Sequence, residues 1–180
     1  MNVQEATTRR LPDLKERHLP ENCRETINTI LKETYGYEQF RNLEIYDDLS
    51  KGKEKLCISQ GQLIENVILE AEKAWKGETQ VDNILLTAPT GSGKSLLFQL
   101  PAIYLGKEYN LLTIVVSPLK ALIVDQVESL QELGYTRVAY ASSDLSPEQK
   151  MEVYRQVREG EIDLFYLSPE LLLSYDIKQF

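Results

Sequence analysis

Residues 83–97 read Asn83-Ile84-Leu85-Leu86-Thr87-Ala88-Pro89-Thr90-Gly91-Ser92-Gly93-Lys94-Ser95-Leu96-Leu97. An apolar run enters a glycine-rich turn, and a second apolar-striped run leaves it. Glycines let the backbone curl so that successive N–H groups point inward at an anion. A helix beginning just after the turn offers its positive end to the same anion. At this spacing Lys94 can reach the β- and γ-phosphates of a nucleotide, and the Ser95 hydroxyl can ligate Mg²⁺. Ala88 stands where the pattern usually begins with glycine. The bare pattern arises by chance in roughly 1% of chains of this length, and the strand–loop–helix setting lowers that figure. The competing reading is a glycine turn that merely precedes a helix.

Outward from the loop, short continuous apolar runs recur: Asn83–Ala88, Leu111–Ser117, Arg137–Ala141 and Ile162–Leu167. Continuous rather than alternating apolarity predicts strands buried on both faces. Between them, 94–105, 119–133 and 147–159 carry helical spacing. Strands alternating with helices predict an α/β fold, a parallel sheet with helices on both faces.

The first 80 residues differ in texture. Residues 1–20 are polar, with Pro12 and Pro20, and read as a loose arm. Residues 21–35 predict a helix, with Ile27, Ile30 and Leu31 at helical spacing and Gly36 as its stop. Residues 41–58, rich in charge, read as a loop or insertion. Residues 62–75 predict an amphipathic helix with Leu63, Ile64, Val67, Ile68, Ala71 and Trp75 on its apolar side, and Trp75 is assigned to the core.

Composition removes several classes. The 180 residues hold 20 Lys+Arg against 28 Asp+Glu, a net charge of −8. A protein that coats nucleic acid by bulk charge is excluded by that balance, since such domains carry a basic patch. Residues 81–180 have 8 basic and 13 acidic groups, so any nucleic-acid contact there must be local. No apolar run approaches the roughly 20 residues of a membrane span, and the start has no apolar signal region. Cys23 and Cys57 are too few for a disulfide framework or a four-ligand zinc site, which makes a cytoplasmic, intracellular setting the expectation. His18 has no metal-ligating neighbours.

Longer strings around the loop resemble a known family. Thr87–Leu105, TAPTGSGKSLLFQLPAIYL, resembles motif I of the RecQ-like superfamily 2 helicases of DEAD/DEAH-box type. Val115–Val127, VVSPLKALIVDQV, looks like their motif Ia. Tyr166–Leu171, YLSPEL, is similar to the string preceding their Asp-Glu box. Tyr35–Arg41, YGYEQFR, resembles their motif 0. The likeness runs from about residue 30 onward with a break at 43–60.

The resemblance implies the first of two RecA-like P-loop domains of an ATP-dependent DNA helicase, preceded by a small helical region. On this reading residues 1–60 are the arm, helix and charged insertion, and 61–180 are the RecA-like domain. ATP and Mg²⁺ are the implied cofactors. Lys94 and Ser95 hold phosphates and metal, and Thr90, Gly91, Ser92 and Gly93 form the cradle. Ser117, Pro118, Leu119 and Lys120 face the tracked strand, joined by Ser142, Ser143 and Ser168. A Ser-Pro turn at a helix start can hold a phosphate on its N–H groups even in an acidic protein. Capping of the following turn is the competing role for Ser142, Ser143 and Ser168.

At the base-binding end the chain departs from the family, where a glutamine follows the motif 0 arginine closely. Here Phe40-Arg41-Asn42-Leu43-Glu44 has none, and Gln60 and Gln62 come after the charged stretch. Gln62 is the first candidate to read an adenine edge, since an amide both donates and accepts. Gln60 is the alternative, and Arg41 is a candidate to stack on the base. The resemblance implies DNA rather than RNA, a second RecA-like domain of the same parent chain, and no membrane partner.

Hydrolysis needs an acidic residue at another strand's end. No apolar strand here ends in Asp-Glu, and Phe180 falls just before the expected position of that box. The chain is therefore expected to bind ATP without hydrolysing it alone. A non-hydrolysing regulatory module and a small P-loop phosphotransferase are the alternatives.

Overall fold

The computed structural model describes residues 17–46, 55–87 and 91–173. The chain forms two compact units, Met1–Lys32 with Tyr37–Pro101, and Glu33–Gly36 with Ala102–Phe180.

In the first unit, helix α1 (Glu21–Tyr35) follows Pro20, whose carbonyl accepts from the Cys23 and Arg24 N–H groups at 3.1 Å. Its stripe of Ile27, Ile30 and Leu31 is buried as the spacing predicts, and Gly36 ends it at φ 69°.

The charged stretch read as a loop is instead the stem of a β-hairpin. Strand β1 (Asn42–Tyr46) pairs antiparallel with β2 (Lys55–Ser59), from Asn42 opposite Ser59 to Tyr46 opposite Lys55. Leu43 faces Ile58 across the pair and both are buried, whereas Glu44 lies opposite Cys57 and both are exposed. Period-2 burial of one face is enough to hold a short hairpin against a core. In the sequence this alternation is diluted by the surrounding charge. Residues 47–54 lie outside the described residues.

Helix α2 (Gln60–Trp75) begins at Ser59, whose hydroxyl accepts from the Gly61 N–H at 3.2 Å. Leu63, Ile64 and Ile68 are buried, but Trp75 is 58% exposed and does not belong to the core. Helical spacing assigns a residue to a face, not to the stretch of that face which the core covers. Glu70 is buried on α2 and ties three segments together. Its Oε1 accepts from Arg17 at 2.6 Å and Lys73 at 3.1 Å, and its Oε2 accepts from the Asp82 N–H at 3.0 Å.

The run 83–88 was expected to be a strand. Residues 83–87 form none, Leu85 is 90% exposed, and Ala88 lies outside the described residues. An apolar run becomes a strand only when its N–H and C=O groups find a partner. Residues 83–87 have no strand partner among the described residues.

In the second unit, β3 (Thr113–Val116), β4 (Val138–Ala141) and β5 (Leu164–Leu167) form a parallel sheet in the order β3-β5-β4. Helix α3 (Leu96–Tyr109) precedes β3. Helix α4 (Lys120–Glu132) connects β3 to β4, and α5 (Pro147–Arg158) connects β4 to β5. The first crossover passes over β5 and the second returns in the opposite sense. Right-handed connections therefore put α4 and α5 on opposite faces. Ala139, Ala141, Phe165 and Leu167 pack with Val153, Tyr154 and Val157 of α5. The α/β architecture with helices on both faces is thus present as a three-stranded sheet.

Strand β5 is buried at every position, as its continuous apolarity predicts. Strand β3 departs from that pattern, with Ile114 48% and Val116 43% exposed. It has a neighbour on one side only among the described residues.

A polar clamp closes the amino-terminal end of this sheet. The buried Asp163 accepts from Arg137 Nε at 2.8 Å, Arg137 Nη2 at 2.7 Å and the Tyr135 hydroxyl at 2.6 Å. Burial, and then the Asp163 carboxylate, push the Tyr135 phenol upward from its ordinary pKa. Gly106 of α3 passes so close that a Cβ there would lie 2.7 Å from Asp163 Oδ1.

Two outcomes follow for stability. Gly106→Ala should lower the urea unfolding free energy by about 1–3 kcal/mol through overpacking, although alanine is the better helix former. An unchanged midpoint would refute the close approach. Burial raises the Glu70 carboxyl, but the Asp82 N–H, Lys73 and Arg17 outweigh it and hold its pKa at about 2, against an ordinary 4.5. Because the folded value is the lower one, this group stabilises fully above pH 4.5 and loses its contribution as pH falls toward 2. Glu70→Gln should flatten stability against pH in that window, and an unaltered acid limb would contradict the assignment.

Candidate functional site

The glycine-rich loop belongs to the first unit. Gly91 and Gly93 hold φ of 80° and 77°, left-handed values that disfavour any side chain. From Gly93 the chain turns directly into α3. The Leu96 N–H donates to Gly93 O at 3.2 Å, and the Gln99 N–H donates to Ser95 O at 2.9 Å. The Ser92, Gly93 and Ser95 N–H groups make no backbone hydrogen bond among the described residues. The Ser92 hydroxyl is buried without a partner among them. Unsatisfied donors gathered at a helix start suit an anion. Lys94 is exposed beside them. Thr90, the first expected cradle residue, lies outside the described residues.

One buried glutamine fastens this loop to the hairpin. Gln60 Nε2 donates to Ser92 O at 3.1 Å, and its Oε1 accepts from the Arg41 N–H at 3.1 Å. Its own N–H donates to Arg41 O at 2.9 Å. A Cβ on Gly93 would lie 2.6 Å from Gln60 Nε2, so glycine is required there by contact as well as by φ. The hairpin leaves the chain at Arg41 and rejoins it at Gln60, which brings these two residues back together despite the insertion. Gln62, the first candidate from sequence, points elsewhere: its Nε2 donates to Arg17 O at 2.8 Å. The exposed Arg41 guanidinium lies 5.9 Å from the centre of the Tyr37 ring. The residue that reaches the loop is thus Gln60, carried as the alternative. The signal that could have identified it is its place as first residue of α2.

Among the described residues no group of three His, Cys, Asp or Glu could hold a metal.

The other expected contacts lie in the second unit, in the loops leaving the sheet. Val116 and Ala141 are both register partners of Leu167. Ser117, Ser142 and Ser168 follow them directly, so three serines share the carboxyl edge of the sheet. The Ser117 N–H donates to Leu167 O at 3.0 Å, and the Ser117 hydroxyl accepts from the Leu119 N–H at 3.4 Å. Leu119 caps α4 with no side-chain hydrogen bond, and Pro118, Leu119 and Lys120 are exposed. Lys120 Nζ contacts the Ser143 hydroxyl and lies 2.8 Å from Asp144 Oδ1.

Two of the serines have capping work. The buried Ser168 accepts from the Leu171 N–H at 3.4 Å to start the short helix α6 (Pro169–Leu172). The buried Ser142 accepts from the Asp144 N–H at 3.3 Å. Ser146, not singled out from sequence, forms a full capping box with Gln149 at the start of α5.

Comparison with known proteins gives a consistent picture. The DEAD/DEAH box helicase family matches residues 60–179. The chain is 34% identical over 151 residues to the ATP-dependent DNA helicase RecQ of Synechocystis sp., covering 84% of this chain and 25% of that protein. It is 32% identical over 148 residues to the ATP-dependent DNA helicase RecQ of Bacillus subtilis, covering 82% and 20%. With the human ATP-dependent DNA helicase Q4 it shares 38% identity over 90 residues, covering 50% and 7%. The chain therefore spans a quarter or less of the length of these relatives.

The loop geometry ranks the two glutamines. Gln60→Ala should weaken nucleotide binding roughly tenfold, the loss of about 1.4 kcal/mol, while Gln62→Ala weakens it less. Titration with a fluorescent ATP analogue measures both, and the reverse order would return the role to Gln62.

Proposed function

The chain belongs to the DEAD/DEAH box helicase family, and from that premise we propose that it is the nucleotide-binding part of an ATP-dependent DNA helicase of RecQ type. The observation that carries this reading is the Gly91–Ser95 turn, with two left-handed glycines and, among the described residues, unsatisfied donors at the start of α3. That arrangement suits the phosphates of ATP, with Thr90 completing the cradle. Lys94 neutralises the outer phosphates, and Ser95 ligates the Mg²⁺ they carry. Gln60 and Arg41 stand at the base-binding end, and Gln62 supports the arm through Arg17.

In this reading the carboxyl edge of the second unit's sheet receives a DNA strand. Ser117, Pro118, Leu119 and Lys120 offer backbone N–H groups and one ammonium, and Ser142, Ser143 and Ser168 lie along the same edge. Backbone contacts of this kind position a strand without reading its sequence, which suits a motor that must track any sequence.

Hydrolysis requires an acid to hold Mg²⁺ and orient water. A second RecA-like lobe of the parent chain closes over the nucleotide. The 180 residues contain no Asp-Glu pair. We therefore assign them nucleotide binding and strand contact, and assign turnover to the parent. No helix among the described residues is long and apolar enough to cross a membrane, and the proposed DNA partner supports an intracellular setting.

Lys94→Ala should abolish ATP·Mg²⁺ binding in a calorimetric titration while leaving the urea midpoint unchanged. The unmodified chain should show no ATP turnover with or without DNA. A rate on the order of 1 s⁻¹ would reveal a catalytic acid within these residues and overturn the division of labour.

A further inference from the structure

Lys120, a cation at the proposed strand-binding edge, is already matched. Its Nζ lies 2.8 Å from Asp144 Oδ1 and also meets the Ser143 hydroxyl. That hydroxyl lies 3.2 Å from the same Oδ1. Asp144 is oriented in turn by its N–H, which donates to the Ser142 hydroxyl at 3.3 Å. The pieces come from the start of α4, which follows β3, and from the loop after β4. An ammonium and a hydroxyl converging on a single anionic oxygen is the donor set that holds a phosphate oxygen. Here a carboxylate oxygen fills that place.

The pair is built to be displaced. Lys120 and Asp144 are 48% and 71% exposed, so water and salt screen their attraction and the contact is weak. A strand with a charge at every nucleotide competes with such a pair far better than an isolated anion does. Lys120 and Ser143 hold the Asp144 carboxyl below its ordinary pKa, as their hydrogen bonds to it require.

We propose that Asp144 is an internal stand-in for a strand phosphate, occupying Lys120 and Ser143 until a DNA backbone displaces it. This rests on the strand-edge reading above. The consequence is a threshold: a strand must exchange one anion for another before it gains the Lys120 contact. The exchange also alters the salt dependence. Phosphate neutralisation releases counterions, but the freed Asp144 carboxylate takes up a cation and offsets part of that release. Removing the carboxylate should steepen the slope of log K against log salt by up to ~0.7 on a single strand.

The test is anisotropy with a labelled single-stranded oligodeoxynucleotide on the 180-residue chain, at several salt concentrations. Asp144→Asn should tighten binding about two- to fivefold, the range of a surface pair, and steepen the salt slope. Lys120→Ala should weaken binding. In the Lys120→Ala background, Asp144→Asn should change nothing. Glu132→Gln, removing the same charge at the far end of α4, should have a smaller effect than Asp144→Asn. If Asp144→Asn tightens binding equally with and without Lys120, the effect is general charge and the proposal falls. If Lys120→Ala weakens binding but Asp144→Asn alters neither affinity nor slope, the proposal falls while the strand-edge reading stands. If Lys120→Ala changes nothing, the strand edge itself is lost and the proposal with it. Because both side chains are exposed, each variant should keep the parent urea midpoint, which separates binding effects from unfolding.

Discussion

Strand β5 is the constraint on which the second unit depends. Among the described residues it alone has hydrogen-bonded strands on both sides, and all four of its side chains are buried. Each large apolar group of this kind contributes roughly 1.5–3 kcal/mol by burial. Its register with β3 and β4 does more than hold the sheet. Pairing Leu167 with both Val116 and Ala141 brings Ser117, Ser142 and Ser168 to one edge. The loops that follow can then converge, which is how Lys120 and Asp144, 24 residues apart, come within 2.8 Å. At the opposite end, Asp163 ties the starts of β4 and β5 to Arg137 and Tyr135. The rigid parallel frame ends in polar loops at its carboxyl side, the place where open α/β sheets take their ligands.

The first unit solves a different problem. A charged insertion separates Arg41 from Gln60, yet the two residues exchange two hydrogen bonds. An antiparallel stem achieves this because its first and last residues are necessarily neighbours, whatever the length of its tip. Gln60 then spends its second amide atom on Ser92 O of the glycine-rich loop. A single buried side chain thus joins the hairpin base, the start of α2 and the loop. The same contact explains the demand for glycine at position 93, where left-handed φ and the nearness of Gln60 act together.

Much of this was legible in the residues, and the exceptions share a cause. Helices α1, α4 and α5 fall where periodicity and caps put them, because these signals are local. The hairpin was hidden because its buried alternation, Leu43 and Ile58, spans only a few positions within a charged run. Trp75 carries the right spacing but sits past the end of the covered surface. The run 83–87 has strand-like composition but no strand partner among the described residues, and β3 has apolar residues on a face that its described neighbours leave open. Gln60 meets the glycine-rich loop while Gln62 meets Arg17, since two residues along a helix turn a side chain by about 200°.

The sequence by itself determined the glycine-rich turn, the alternation of strands and helices, the family and the acidic balance that confines any DNA contact to a few groups. These depend on residue type and short-range spacing, which the chain carries without folding. Only the tertiary structure decided which glutamine meets the loop, which apolar residues are covered, that the insertion is a hairpin, and that Asp144 already holds Lys120. Each of those is a meeting of residues distant in the chain, set by strand register and crossover geometry rather than by local preference.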